Sequence, residues 1–343
     1  MNDIAMQNDL QSIRQLMYSN ERFVIAGHVN PDGDAIGSCL GLGMALKKMG
    51  KSVRVLLEDA HEKNSVIPGQ YLIWREGQSN AIDADFGDIA ANPVDFVFVA
   101  LDCGSAHRLG SAKKMCELAT TTICIDHHVS HEHFTTFTLL DPDASSTCSM
   151  IYKLIRPMGV VDKDIASALY CGILTDTGGF RHPNVNSVTH EIVADLLTFD
   201  IPFTELYNEM FRRHSLEETL VLRGALNNLR LLANGKVALG TINSDEMSAV
   251  GGRIRDTDGI AEYLLNIRGV EASIFIYEKN KGQCKISMRS LNIDISKVAS
   301  KFGGGGHVHA AGASIDGEFA KVVASVTSEV VSTVRNRLEV LEI

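Results

Sequence analysis

Residues 23–34 read FVIAGHVNPDGD, a short apolar run that leads directly into a histidine and two aspartates. Three more apolar runs follow at residues 53–57, 94–101 and 122–125, and stretches with helical spacing, such as residues 35–49, lie between them. Short strands that alternate with helices predict βαβ units and a parallel sheet covered on both faces. We therefore predict an α/β fold whose N-terminal domain is a doubly wound, mostly parallel sheet.

The rest of the chain predicts a second, smaller α/β domain. An amphipathic helix is predicted at residues 220–232, and strands at 237–242, 272–277 and 285–289. A glycine cluster at residues 303–306 and a long helix from about residue 318 follow. The polar stretch before this domain looks like a connector. We predict a catalytic domain over residues 1–195, a linker over residues 196–218 and a substrate-binding domain over residues 219–343.

Composition limits the classes of function. The chain has 343 residues, 45% of them hydrophobic and only 7 of them proline, which suits two folded domains and excludes long disorder. A net charge of −10 disfavours the binding of long duplex nucleic acid but leaves room for a short nucleotide. The seven cysteines form no C-x-x-C motif, and no signal peptide or membrane-spanning run is visible. We expect a cytoplasmic protein with reduced thiols and no membrane partner.

Acidic and imidazole side chains follow the predicted strands. They are His28, Asp32 and Asp34 after the first run, Asp102 after the third, Asp126, His127 and His128 after the fourth, and Asp176 after an apolar helix. Each acid alone would be explained as a turn or helix-capping residue. The carboxyl ends of parallel strands meet at one edge of a sheet, however, so these groups should converge there. Clustered carboxylates repel one another when partly buried, and a bound cation removes that repulsion.

Two divalent ions fit this cluster better than one. Four of the carboxylates, Asp32, Asp34, Asp102 and Asp176, carry four negative charges that two such ions neutralise. Mixed carboxylate and imidazole ligands favour Mn²⁺, with Mg²⁺, Co²⁺ or Fe²⁺ as alternatives, and the lack of thiolates argues against structural zinc. Two metal ions about 3.5–4 Å apart can activate a water and stabilise both the attacking and the leaving oxygen at phosphorus. The pattern therefore predicts metal-dependent phosphoester hydrolysis.

The motifs also match a known family in order. They read HVNPDGDAIGS, LD, DHH, TDTGGF, SMRS and GGGHVHAAG, at residues 28–38, 101–102, 126–128, 175–180, 287–290 and 304–312. Together they resemble the DHH/DHHA1 phosphoesterases, and most of all the small bacterial oligoribonuclease (nanoRNase)/pAp phosphatases and their cyclic-dinucleotide-linked relatives. The resemblance spans most of the chain, and it is specific because all the motifs occur together.

The resemblance implies roles for the clustered residues. One metal ion would be held by His28, Asp32 and Asp102, and the other by Asp34, Asp102, His127 and Asp176. The residues expected to take part in catalysis are Asp102, which bridges the metal ions, Asp126, which orients the neighbouring rings, and His128, which lies by the scissile phosphate. A water activated by both ions would attack the phosphorus, so that no separate side-chain base is needed.

The same resemblance assigns substrate contacts. Substrate would be bound by Arg289, Ser290, Gly305, Gly306 and His307 in the second domain, with Arg108 from the first, and the active site would lie in a cleft between the domains. An arginine fork and glycine N–H groups suit a phosphate. By contrast, we expect His131, His133 and His309 to lie on the surface, and Cys103 to be a small buried residue rather than a nucleophile.

The hypothesis for function is the hydrolysis of short 5′-phosphorylated oligoribonucleotides, or linear dinucleotides such as pApA and pGpG, to mononucleotides. Conversion of pAp to AMP would be a related activity. The alternatives are a cyclic-dinucleotide phosphodiesterase, an exopolyphosphatase or pyrophosphatase, and a nucleotide-binding sensor without catalysis. A homodimer is implied by the resemblance alone.

Overall fold

The computed structural model describes residues 3–58, 62–74 and 95–341. The chain divides into two compact units, Met1–Arg213 and His214–Ile343. Each unit contains its own sheet and its own hydrophobic core. In the part of the chain that the structure describes, no helix has both the length and the apolar character needed to cross a membrane.

A five-stranded sheet forms the centre of the first unit. Its strands, in chain order, are β1 (Arg22–Ala26), β2 (Ser52–Leu56), β3 (Val97–Leu101), β4 (Thr121–Asp126) and β5 (Phe137–Leu140). They lie in the order β2-β1-β3-β4-β5, and every neighbouring pair is parallel. The mostly parallel α/β prediction is confirmed. Strand β5 was not predicted, because it is a short edge strand in which Leu139 is the one deeply buried side chain.

Helices cover this sheet. The α-helices of the first unit are α1 (Asp3–Ser19), α2 (Gly33–Lys48), α3 (Lys113–Leu118), α4 (Thr147–Ile155), α5 (Lys163–Asp176), α6 (Ser187–Leu197) and α7 (Phe203–Phe211). Alternate strand residues enter two cores: Phe23 and Ile25 pack with helices such as α2 and α5, whereas Val24 and Ala26 face the 3₁₀ helix Ala106–Ala112. Period-two alternation thus places apolar side chains on both faces of the sheet.

Helices α2 and α5 touch through glycine. A Cβ atom at Gly37 would lie 2.5 Å from the carbonyl oxygen of Ala168 on α5, and one at Gly172 would lie 2.8 Å from Asp34 Oδ1 on α2. No larger side chain fits at either place without a shift of the backbone, because real Cβ atoms do not approach other atoms so closely. This contact brings the start of α2 next to the end of α5.

Residues 196–218, which the sequence assigns to a linker, contain α7, and the first compact unit extends to Arg213. Leu206 is buried in the core of this unit, and Met210 and Phe211 pack against that core. The helix is recognised with difficulty from sequence, since its short apolar stripe lies among charged residues that face the solvent.

The second unit contains a six-stranded mixed sheet. Its strands are β6 (Arg230–Leu232), β7 (Val237–Ile242), β8 (Ala272–Asn280), β9 (Gln283–Ser290), β10 (Gly305–His307) and β11 (Ala310–Asp316), in the order β10-β11-β9-β8-β7-β6. Only the β7–β8 pair is parallel. The helices are α8 (Leu216–Asn227), α9 (Ser244–Ala249), α10 (Ile260–Leu265), α11 (Ser296–Lys301) and α12 (Phe319–Leu341). The predicted second α/β domain is confirmed.

One predicted helix boundary is wrong. The sequence pattern extends the first helix of this unit to residue 232, but α8 ends at Asn227 and β6 begins at Arg230. The chain then reverses through Asn234 and Gly235, both with positive φ, so that β6 pairs with β7 in a hairpin. The Asn-Gly turn decides the structure here, because those residues tolerate the left-handed conformation that such a turn needs.

Candidate metal centre

The predicted metal-binding residues converge at the carboxyl edge of the first sheet. They form three overlapping groups whose ligand atoms lie within 4.8 Å of one another: His28, Asp32 and Asp102; Asp34, His127 and Asp176; and Asp102, His127 and His128. The topology explains this, since three of the segments leave parallel strands at the same edge and the other two are the start of α2 and the end of α5.

Distances within the cluster suit shared cations. His28 Nε2 lies 3.6 Å from Asp102 Oδ2, and His127 Nε2 lies 3.6 Å from Asp102 Oδ1 and 3.4 Å from Asp176 Oδ2. These separations exceed hydrogen-bond length. They fit pairs of ligand atoms that each stand about 2.0–2.2 Å from one ion. Because Asp102 faces a different histidine with each oxygen, it occupies the position that a bridging ligand needs.

The electrostatics also favour cations. Burial raises the pKa of Asp34 well above its ordinary value, and Asp102, Asp176 and Asp32 raise it further. Burial likewise raises the pKa of Asp102, and it raises the pKa of Asp176 to about 6. These pKa values rise because the carboxylates are buried away from water and lie close to one another. Divalent ions remove that cause, so the residues fit the metal ions that the sequence predicts.

The N-terminus of α4 supports two of the acids. The backbone N–H of Thr147 donates to Asp34 Oδ2 at 2.6 Å, and that of Cys148 donates to Asp34 Oδ1 at 2.9 Å. The Thr147 hydroxyl donates to Asp102 Oδ1 at 3.1 Å. The positive end of a helix stabilises carboxylates. Sequence reasoning did not assign these roles, although Ser146, which caps α4, marks a helix start at this place.

Asp126 is wholly buried and orients two histidines. Its Oδ1 accepts a hydrogen bond from His128 Nδ1 at 2.7 Å, and its Oδ2 accepts one from His131 Nδ1 at 2.7 Å. Burial raises the pKa of Asp126, but these two bonds outweigh it and hold that pKa below its ordinary value. The same contact with Asp126 raises the pKa of His128. The surface position predicted for His131 is wrong, because its side chain is 1% exposed.

The backbone conformation of Asp102 is typical of a functional site, and the neighbouring Cys103 is not a nucleophile. Its φ of 55° is left-handed, a conformation that is strained for most residues and is concentrated at functional sites. The adjacent Cys103 is buried, and burial raises the pKa of its thiol to about 11. That thiol is therefore protonated at neutral pH and a poor nucleophile.

The predicted substrate-binding residues lie in two places. Arg108, in the first unit, accepts a hydrogen bond on its carbonyl oxygen from Val29 N, next to His28. The others are in the second unit, where Ser290 is buried and donates its hydroxyl to the carbonyl of Ile293.

Arg289 and His307 lie in one row of the second sheet, because both pair across to Ala310. Residues directly opposite each other in antiparallel strands share a face. Their side chains therefore lie on one face, about 10 Å apart by the usual strand spacing. Gly305 and Gly306 are exposed in the edge strand β10.

Comparison with known proteins identifies the family. The N-terminal domain of the DHH family matches residues 22–173, and the DHHA1 domain matches residues 221–336. A bifunctional oligoribonuclease and PAP phosphatase NrnA from Thermus thermophilus is 30% identical over 296 residues, which cover 85% of this chain and 84% of that protein. The chain belongs to the DHH/DHHA1 family. The resemblance drawn from the motifs is confirmed.

Two further proteins extend the comparison. The NrnA protein of Bacillus subtilis is 26% identical over 300 residues, covering 86% of this chain and 90% of that one. The crystal structure of an exopolyphosphatase-related protein from Bacteroides fragilis has 27% sequence identity and a TM-score of 0.86, and it covers 97% of this chain and 98% of that one. The protein is thus a DHH-family phosphoesterase with acidic and imidazole groups positioned to bind divalent metal ions.

Proposed function

We propose that the protein is a Mn²⁺-dependent enzyme that hydrolyses short 5′-phosphorylated oligoribonucleotides and linear dinucleotides, such as pApA and pGpG, to mononucleotides. Removal of the 3′-phosphate of pAp would use the same site. The observation that carries the proposal is the convergence of two ligand groups on Asp102 at the edge of the sheet. The oligoribonuclease and PAP phosphatase activities named for the relatives supply the substrate class.

The two metal ions would share Asp102 and otherwise have different ligands. His28, Asp32 and Asp102 would hold one ion, and Asp34, Asp102, His127 and Asp176 the other. When bound, two such ions lower the pKa of a water molecule and neutralise charge that develops on the phosphate. The mixture of carboxylate and imidazole ligands favours Mn²⁺. The backbone N–H groups at the start of α4 hold Asp34 in place as one of these ligands.

His128 would handle the proton of the leaving group. Its Nδ1 donates to Asp126, so its Nε2 is the atom left to face the substrate. The raised pKa of His128 increases the fraction that is protonated near neutral pH. A protonated Nε2 can donate to a phosphate oxygen and then to the departing ribose oxygen.

The second unit would bind the phosphate end of the substrate. Arg289 offers a planar fork, His307 lies on the same face, and the backbone of the exposed Gly305 and Gly306 can approach an anion closely because these residues have no side chain. Arg108 would add a contact from the first unit. With a net charge of −10, the protein has little to hold a long polyanion, which favours short substrates. Its seven free cysteines suit the reducing cytoplasm that we propose as its compartment.

The test is product analysis by ion-exchange chromatography. Metal-free protein receives Mn²⁺ and then pApA, pGpG, pAp, a cyclic dinucleotide, polyphosphate or a long single-stranded RNA. We expect mononucleotides from the linear dinucleotides, no reaction without metal, and slower cleavage of the long RNA. Asp102→Asn should lower turnover by about a thousandfold, in line with several kcal/mol of metal stabilisation, whereas Asp164→Asn, an exposed acid on α5, should not. Faster cleavage of the long RNA would contradict the proposal.

One observation favours a second candidate. The structure resembles an exopolyphosphatase-related protein over nearly its whole length. A two-metal site stabilises the oxygens around the phosphorus, and this chemistry does not depend on whether the phosphate is part of a nucleotide or of polyphosphate. Release of orthophosphate from polyphosphate at a higher rate than AMP from pApA would establish exopolyphosphatase activity instead.

A further inference from the structure

The carboxylate of Asp126 lies between two imidazole rings. One of its oxygens binds His128 Nδ1 and the other binds His131 Nδ1, both at 2.7 Å. The two rings differ in exposure, since the side chain of His128 is 31% exposed and that of His131 is 1% exposed. The outer ring belongs to the proposed catalytic chemistry, and the inner ring has no assigned role.

The burial of His131 fixes its tautomer. Its Nε2 is buried and has no hydrogen-bond partner among the described residues. A neutral imidazole has one N–H donor and one bare nitrogen, whereas an imidazolium has two N–H donors. Because a buried N–H without an acceptor is strongly disfavoured, the geometry favours a ring whose one proton is on Nδ1 and is donated to Asp126.

We infer that His131 is a positioning residue that acts through Asp126 to fix the tautomer and ring orientation of His128. The inference rests on the proposed function for the role of His128 Nε2. It assigns no contact between His131 and substrate. Instead, His131 donates a hydrogen bond to the carboxylate of Asp126, and that carboxylate accepts a hydrogen bond from the ring of His128.

The two oxygens of Asp126 explain why the inner ring is needed. Oδ1 accepts hydrogen bonds from the backbone N–H of His127 and from Nδ1 of His128. Within the described part of the chain, Oδ2 accepts its hydrogen bond from His131. Without that donor, a buried carboxylate oxygen is left unsatisfied, and rotation of the carboxylate would relieve this. Rotation would loosen the contact with His128, whose proton could then move to Nε2.

Matched substitutions separate the donor from the ring. His131→Asn places an amide N–H where Nδ1 stands, and His131→Leu keeps the bulk without a donor. The same changes at His133, an exposed neighbour whose ring centroid is 5.6 Å from that of His131, are the controls. Mutating a residue that hydrogen-bonds to an active-site side chain typically lowers activity by about 10–100-fold. We therefore expect His131→Leu to lower kcat on pApA by about 10–100-fold with KM unchanged, His131→Asn to restore most of it, and both His133 variants to match wild type.

A second measurement does not depend on activity. Long-range ¹⁵N–¹H NMR spectra of the metal-free protein report which ring nitrogen carries the proton, and His128→Gln and His131→Asn assign the signals by difference. At a pH high enough for both rings to be neutral, both should carry the proton on Nδ1 in wild type, and in His131→Leu the signal of His128 should show a mixture of tautomers. A cationic or Nε2-protonated His131 in wild type would overturn the inference, even if His131→Leu failed to fold. Equal kcat and an unchanged His128 tautomer in a folded His131→Leu would do the same. If the wild-type protein cleaved no nucleotide, the proposed function would fail, and the NMR result would still decide the inference.

Discussion

Replacing Asp176 by asparagine should stabilise the metal-free protein while removing the metal response of the site that contains it. Asp176 stands at the end of α5, and its side chain is 26% exposed. Burial raises its pKa from an ordinary 3.8 to about 6, and the nearby Asp102 and Asp32 add to the effect against the attraction of His127. The difference between 3.8 and about 6 corresponds to roughly 3 kcal/mol of unfavourable free energy in the ionised, metal-free state.

The direction of the pH dependence follows from linkage. In the folded, metal-free protein Asp176 holds its proton up to a higher pH than in the unfolded chain. Its unfavourable contribution is therefore absent below pH 3.8, grows as the pH rises to about 6, and is complete above that. The asparagine variant has no such contribution. Its free energy of unfolding should exceed that of wild type by up to roughly 3 kcal/mol at pH 8 and equal it near pH 4.

The assay is urea unfolding in the presence of a chelator at several pH values, repeated with Mn²⁺. With the metal ion at about a thousand times its Kd for the site that contains Asp176, the order should reverse, because binding there adds about 4.1 kcal/mol to wild type and this exceeds the roughly 3 kcal/mol advantage of the variant. Asp164→Asn, an exposed acid in the first turn of the same helix, is the control and should follow wild type throughout. Equal stability of Asp176→Asn and wild type at pH 8 in chelator would refute the claim that burial and the neighbouring carboxylates disfavour ionised Asp176 in the metal-free protein.

Three further predictions concern the surroundings of the cluster. Gly172→Ala should lower the free energy of unfolding by about 1–3 kcal/mol, measured in urea, because the new Cβ would lie 2.2 Å from Cys148 Sγ and 2.8 Å from Asp34 Oδ1. Thr147→Val should weaken Mn²⁺ binding about tenfold in calorimetric titrations, while Thr147→Ser should keep it; equal affinity of both variants would show that the hydroxyl is unimportant. A thiol reagent should label Cys116 in the native protein and the other six cysteines only after unfolding, since those six are buried.

The sheet and most of the metal ligands could be predicted because they follow one physical rule. An apolar run that ends in a charged residue, as at His28 and Asp102, is visible in the sequence without knowledge of distant contacts. Parallel strands then bring all such ends to one edge. The regular spacing of apolar residues in α2 and α5 fixed the helices that add Asp34 and Asp176.

What the sequence could not provide depends on contacts between distant segments. His131 looks like any polar loop residue, and only the packing around Asp126 shows that its ring is buried. Thr147 hydrogen-bonds with acids 113 and 45 residues away, and no local pattern encodes those bonds. Strands β5, β6 and β10 are short edge strands, so their pairing is decided by neighbours and by turns rather than by their own apolar pattern.

The glycine contact between α2 and α5 has a consequence for ion size. Asp34 and Asp176 are carried by the two helices whose backbones meet at Gly37 and Gly172, so the main chain, rather than flexible side chains, sets the gap between them. Ions with ligand distances of about 2.0–2.2 Å suit so rigid an arrangement, whereas Ca²⁺ prefers about 2.3–2.6 Å and more ligands. Calcium would have to force apart two helices that have no side chains left to yield at their point of contact, and it should therefore be a weak competitor for this centre.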